Sequence, residues 1–318
     1  MRSLPSEFEP YSWALSTAAI AELAGIRPEE VLRFDGNTPA YGRARLEQLT
    51  DAVARVHTYP HGGYPRIHEA IAEYAGVSPE NVALGAGADD LLMLCARAFA
   101  GPGGRVDVRD EPVYPVLRGA VHLAGAEVSA VEPDATFVCR PHNPTGALVE
   151  LPAARPLVVD EAYFEFAGAE TAAGLIDDGV VVIRTFSKAF ALAGARIGYA
   201  LADADTAEEL RTRQSPAPVS TLSVALALAG LADPPDVSQT VAERERLAAR
   251  LRSIGLAPLE SWTNFVYAPV GDGLALTDAL LGQGLAVRGS PEAIRISVRD
   301  EADDDRLVQA LESLLSSS

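Results

Sequence analysis

Thr185-Phe186-Ser187-Lys188-Ala189-Phe190-Ala191-Leu192-Ala193-Gly194-Ala195-Arg196 follows an apolar run, Val180 to Arg184, and holds the only lysine among the 318 residues of the chain. Every other one of its 26 cationic side chains is arginine. A guanidinium stays protonated and is no nucleophile. A lysine amine can lose its proton when desolvated and then condense with a carbonyl. Phe186, Ala189 and Phe190 supply apolar neighbours for such an amine. The alternative is an ordinary surface lysine, and the rest of the chain decides between the two.

The run before Lys188 is one of a series. Strands are expected over Val82 to Leu84, Arg105 to Val108, Glu127 to Val131, Thr136 to Cys139, Leu157 to Val159, Val180 to Arg184 and Arg196 to Leu201. Most are near-continuous apolar rather than alternating, as in a parallel sheet with both faces covered. A helical pattern, Ile67 to Tyr74, precedes them, and others fall between them, including Asp89 to Phe99 and Tyr114 to Leu123. The alternation predicts an α/β, doubly wound, mostly parallel sheet, whose ligands collect beyond the C-terminal strand ends. An apolar helix, Leu222 to Leu231, is expected to be buried, and Asp233-Pro234-Pro235-Asp236 then marks a boundary. Beyond it come a charged helix, Ser238 to Ile254, strands Phe265 to Ala268 and Ile294 to Val298, and a closing helix, Asp304 to Leu315. That is the pattern of a smaller α+β unit.

The net charge of −18 argues against nucleic acid or an anionic membrane as partner, since both need a basic face. No stretch reaches the roughly 18 apolar residues of a membrane span. Met1 to Tyr11 lacks an apolar run, so no signal peptide is expected. Cys95 and Cys139 sit in apolar surroundings, which suits a reducing cytoplasm. His57 and His61 have a metal-compatible spacing, but Pro60, Gly62 and Gly63 break the helix that would align them.

Four features fall at strand ends. Gly85-Ala86-Gly87-Ala88-Asp89-Asp90 joins a strand to a helix, where free amides and the helix dipole favour a phosphate. Pro141-His142-Asn143-Pro144-Thr145-Gly146 reads as a turn whose prolines hold the Asn143 amide toward a ligand. Asp160-Glu161-Ala162-Tyr163 places a carboxylate at the end of a buried strand, where it needs a cationic or donor partner. Its alternative role is a helix N-cap. Ser187 and Arg196, flanking Lys188 and eight residues beyond it, suit a phosphate donor and a guanidinium clamp. One ligand satisfies all four, with a phosphate, a cationic ring nitrogen, a phenolic oxygen and a condensable carbonyl. Pyridoxal phosphate has them.

In these motifs the chain resembles the fold-type-I, class I/II pyridoxal-phosphate aminotransferases, most closely their histidinol-phosphate branch, from about Asn37 to the last helix. The resemblance rests on Asn143-Pro144-Thr145-Gly146, Asp160-Glu161-Ala162-Tyr163 and Arg184-Thr185-Phe186-Ser187-Lys188-Ala189-Phe190, in that order. It implies Lys188 as the Schiff-base lysine, Asp160 as partner of the pyridinium nitrogen, and Asn143 and Tyr163 at the phenolic oxygen. It implies Tyr114 stacked on the ring, and Ala88, Asp89, Ser187 and Arg196 around the phosphate. Tyr59 would reach the cofactor of a neighbouring subunit, making the protein a homodimer. Arg295 would grip an anionic group of the substrate, with Asn37 beside it. The implied domains are residues 1–40, contributing to a small domain; 41–235, the cofactor-binding domain; and 236–318, the rest of the small domain.

The chain departs from the family at Asp35-Gly36-Asn37-Thr38-Pro39, at His142 and at Arg299-Asp300, places expected to face the substrate. The resemblance implies a ping-pong transfer of an amino group from an amino donor to a 2-oxo acid in the cytoplasm. Decarboxylation of the threonine-phosphate type and a specialised biosynthetic role are the alternatives, with a non-catalytic ligand sensor as the rival outside enzymes. Arg43, Arg66 and Arg299 are candidates for a second anion site, or else solvated surface arginines.

Overall fold

The computed structural model describes residues 4–8, 10, 12, 14–38, 49–60, 63–168 and 171–316. Pro39, Arg43, His61 and Gly62 lie outside the described residues. The strands are Leu32–Arg33 (β1), Val82–Gly85 (β2), Arg105–Val108 (β3), Glu127–Val128 (β4), Ala135–Cys139 (β5), Leu157–Asp160 (β6), Val180–Thr185 (β7), Gly198–Leu201 (β8), Phe265–Pro269 (β9), Leu285–Ala286 (β10), Arg288–Ser290 (β11) and Ala293–Ser297 (β12).

Seven of them form one sheet in the order β2-β8-β7-β6-β5-β3-β4. β8 runs antiparallel to both its neighbours, and the other pairings are parallel. Successive residues of one apolar run serve opposite faces. Leu157, Val159, Val180 and Val182 enter one core, while Val158, Val181 and Ile183 enter the other. That period of two inside unbroken hydrophobicity explains the runs read above.

Two expected strands are trimmed. The one from Glu127 ends at Val128, and the one from Arg196 begins at Gly198, because Arg196 takes a left-handed backbone with φ 48°. The helix Thr221–Ala232 forms where expected, but Val224, Leu226, Leu228 and Leu231 are only partly buried. Helices Thr17–Ala24, Ala204–Arg213 and Gly273–Leu281 were not expected. β1, β10 and β11 are two or three residues long and carry no periodic signal of their own.

The second unit has a three-stranded antiparallel sheet, β11-β12-β9. β1, from the start of the chain, pairs in parallel with β10 near its end. Phe34 shares a core with Leu247, Val266, Ile294 and Leu307. This pairing delivers Asp35 and Asn37 to the strand ends of the large sheet. Among the described residues no helix is long and apolar enough to cross a membrane.

Candidate active site

A cavity of about 670 Å³ lies at the C-terminal ends of β6 and β7. Of the residues expected from the family resemblance at the cofactor and substrate, all line it except Tyr59. Tyr59 is 83% exposed and does not line this cavity.

One wall has the features that suit an anion. The helix Ala88–Phe99 begins there, and its first amides have no intrahelical acceptor. Gly87 has φ 90°, and a Cβ on it would lie 2.7 Å from the Arg196 guanidinium, so glycine lets that cation sit against the loop. Arg196 Nη2 donates to Asp89 Oδ2 at 3.3 Å, and the Tyr114 hydroxyl donates to Asp89 Oδ1 at 3.2 Å. The Asp89 carboxylate therefore orients Arg196 and Tyr114. Ser187 Oγ accepts from the Thr185 hydroxyl at 2.9 Å, which leaves its own proton for a ligand.

Asp160 ends β6 and is 3% exposed. It accepts the Ala162 amide at 3.1 Å and, opposite it on β5, the Cys139 thiol at 3.8 Å. Burial pushes its carboxyl up to about 7, and among the described residues no cation touches it. Lys188 is half-buried, with its amine 5.5 Å from the centre of the Tyr163 ring. Burial, then the nearby Arg295 cation, lowers its amine to about 8, against the pull of Asp89 and Asp160. Sequence context anticipated this desolvated amine.

Tyr163 is 2% exposed, and burial drives its hydroxyl well above the usual phenol range. Its oxygen accepts from Asn37 Nδ2 at 2.9 Å and Asn143 Nδ2 at 3.5 Å. Arg295 donates through Nη1 to Asn143 Oδ1 at 2.6 Å and through Nη2 to the Asp35 carbonyl at 3.4 Å.

Sequence reasoning missed two arginines of this cavity, Arg33 and Arg288. Arg33 forms a two-pronged pair with Asp35, at 2.9 and 2.8 Å. Arg288 stands directly opposite Arg295 across the β11–β12 hairpin. Like charges in that register repel unless an anion lies with them. The signal was faint, because the register is set by a turn and not by either residue. Of the anion candidates proposed instead, Arg66 is exposed and Arg299 pairs with Asp303 at 2.8 Å. Neither lines the cavity. His142 also turns out not to face it, since its Nδ1 bonds Thr145 Oγ1 at 2.7 Å within its own turn. Of the three departures from the family pattern, Asp35-Gly36-Asn37 is the one that lines the cavity.

A doubly wound sheet with a half-buried lysine of lowered basicity, a buried carboxylate, and a helix start beside an arginine at its strand ends suits an enzyme that works through a bound carbonyl ligand. Residues 30–137 and 129–311 match the family model "Aminotransferase class I and II", and the chain belongs to that family. It is 34% identical to the histidinol-phosphate aminotransferase of Symbiobacterium thermophilum, across 83% of this chain and 84% of the relative. It is 30% identical to that of Nitratidesulfovibrio vulgaris, across 97% and 95%. The solved histidinol-phosphate aminotransferase of Sinorhizobium meliloti, in complex with pyridoxal-5'-phosphate, superposes with a TM-score of 0.83 at 28% identity, covering 99% of both chains.

Proposed function

We propose that this aminotransferase binds pyridoxal phosphate on Lys188 and moves an amino group from an amino donor of the histidinol-phosphate kind to a 2-oxo acid. The observation that carries the reading is a single half-buried lysine, with its amine lowered to about 8, in one cavity with a buried Asp160 that contacts no cation among the described residues. The residues fit the cofactor. Asp160 needs a cationic partner, which a protonated ring nitrogen supplies. The cradle of Gly87, Ala88, Ser187 and Arg196 suits its phosphate. Tyr163 and Asn143 would stand at its phenolic oxygen, and Tyr114 would pack on the ring.

When bound, pyridoxal phosphate supplies a carbonyl for amines and a ring that accepts electrons from the bond being broken. Lys188 Nζ, largely deprotonated only above about pH 8, would take the proton from the substrate Cα and return it as acid. Asp160 would hold the proton on the ring nitrogen. Arg295 and Arg288, opposed across their hairpin, would bind the substrate's phosphate or carboxylate. The two arginines favour a strongly anionic substrate in either half-reaction.

Support for a homodimer comes from Val53, Val56 and Tyr59, which are 55%, 60% and 83% exposed, and from the half-buried apolar helix Thr221–Ala232. A second copy would cover them, and a cytoplasmic location suits two buried free thiols. The division at residues 1–40, 41–235 and 236–318 is supported by the separate core around Phe34, Leu247 and Val266.

The test is to load the protein with pyridoxal phosphate, reduce with borohydride and map the labelled peptide. Label on the Lys188 peptide supports the reading, and a Lys188→Ala variant that transaminates at the wild-type rate overturns it. An amino-donor panel including histidinol phosphate, with carbon dioxide monitored, completes the test. Carbon dioxide release without amino exchange moves the protein to decarboxylation.

A further inference from the structure

Two residues beyond Arg295, at the end of β12, Ser297 is 1% exposed and points at the strained loop that carries Asn37. Asn37 is 2% exposed and left-handed, with φ 49°. Three bonds hold it there. Its own amide N–H donates to Ser297 Oγ at 2.7 Å, Ser297 Oγ donates to Asn37 Oδ1 at 2.9 Å, and Asn264 Nδ2 donates to the Asn37 carbonyl at 3.0 Å.

The first two bonds have a logical order. A backbone N–H can only donate, so Ser297 Oγ must accept from it. The hydroxyl proton is then free, and it needs an acceptor, which Asn37 Oδ1 provides. The side-chain amide is thereby oriented with oxygen toward Ser297 and nitrogen toward Tyr163. Its Nδ2 donates to the Tyr163 hydroxyl oxygen at 2.9 Å, and Asn143 Nδ2 donates from 3.5 Å. Among the described residues the Tyr163 hydroxyl accepts twice and donates to none. Its proton is reserved for the cavity.

We propose that Ser297 is a positioning residue that fixes the Asn37 amide so that Tyr163 acts as a hydrogen-bond donor to the ligand. Resting on the pyridoxal-phosphate reading above, this assigns the donor strength at the cofactor's phenolic oxygen to a serine that never touches the cofactor. Without the Ser297 hydroxyl, the Asn37 amide can turn over. Its oxygen then faces Tyr163 and competes for the phenol proton. The hydrogen bond at the cofactor's phenolic oxygen weakens, and the less protonated form of the bound cofactor loses its stabilisation.

The experiment titrates the visible band of the loaded enzyme with pH. Ser297→Ala is expected to raise its midpoint by about half to one pH unit, the size of one net hydrogen bond. Ser297→Thr keeps the hydroxyl and is expected to restore the wild-type midpoint. In a Tyr163→Phe background, Ser297→Ala is expected to cause no further shift. Should Ser297→Ala fold poorly, Asn37→Asp offers Tyr163 only acceptors and shifts the midpoint upward, losing most of that shift when Tyr163 is phenylalanine. A Ser297→Ala midpoint equal to wild type, or one that moves equally with Tyr163 removed, overturns the inference and leaves the cofactor reading standing. A wild-type protein that shows no visible band with pyridoxal phosphate removes both.

Discussion

Replacing Arg184 by Met should destabilise the protein by about 3 kcal/mol, the lower end of the cost of breaking a buried ion pair. Arg184 and Glu161 are 2% and 1% exposed at their side chains. Arg184 Nε and Nη2 donate to Glu161 Oε2 at 3.1 and 3.0 Å, and the guanidinium lies 3.6 Å from the Phe164 ring centre. Methionine keeps the contact with Phe164 and leaves Glu161 a buried anion without a cation. Glu161 would retain the Thr171 hydroxyl and the Ala172 amide, both at 2.6 Å, which places the cost at the lower end. Against a typical total of about 5–15 kcal/mol, that loss is large. Urea unfolding at fixed saturating cofactor, followed by circular dichroism, measures it. The decisive comparison is Arg184→Met with Glu161→Met added, which leaves no charge behind. The double variant should be more stable than Arg184→Met alone. A double variant less stable than the single one would show that the pair acts by shape and packing, and the electrostatic reasoning would be refuted.

Two further outcomes follow from the same geometry. Gly87→Ala puts a methyl 2.7 Å from Arg196 Nη2 and forces φ 90° on an L residue, so pyridoxal phosphate affinity should fall roughly 5- to 100-fold, for a strain of about 1–3 kcal/mol; fluorescence titration giving an unchanged Kd would contradict it. Reductive ¹³C-methylation of the cofactor-free protein should give one lysine resonance with a midpoint near 8, well below the ~10.4 of a free amine. The sign follows from burial, which disfavours the ammonium, so the proton leaves at lower pH. A midpoint above 10 would place Lys188 in solvent.

The chain by itself determined the sheet and most of the lining of the candidate site. Leu157 to Asp160 and Val180 to Thr185 are continuous apolar runs. A parallel strand covered on both faces leaves few other readings for them. Each is followed at once by its chemistry, Asp160 or Ser187-Lys188, so contiguity in sequence became contiguity in space. The lone lysine in an arginine-rich chain marked the candidate nucleophile for the same local reason.

What tertiary structure decided is everything that joins distant segments. The pairing of β1 with β10 spans more than 250 residues in two-residue strands, too short to show a period. Yet it carries Asn37 to Tyr163. The opposition of Arg288 to Arg295 depends on hairpin register, which a one-residue slip would reverse. Asn37 was expected beside the substrate, and the fold commits its amide to Tyr163 and Ser297. Hydrogen bonds between such residues are chosen by packing, because a buried donor must find whichever acceptor the fold places within reach.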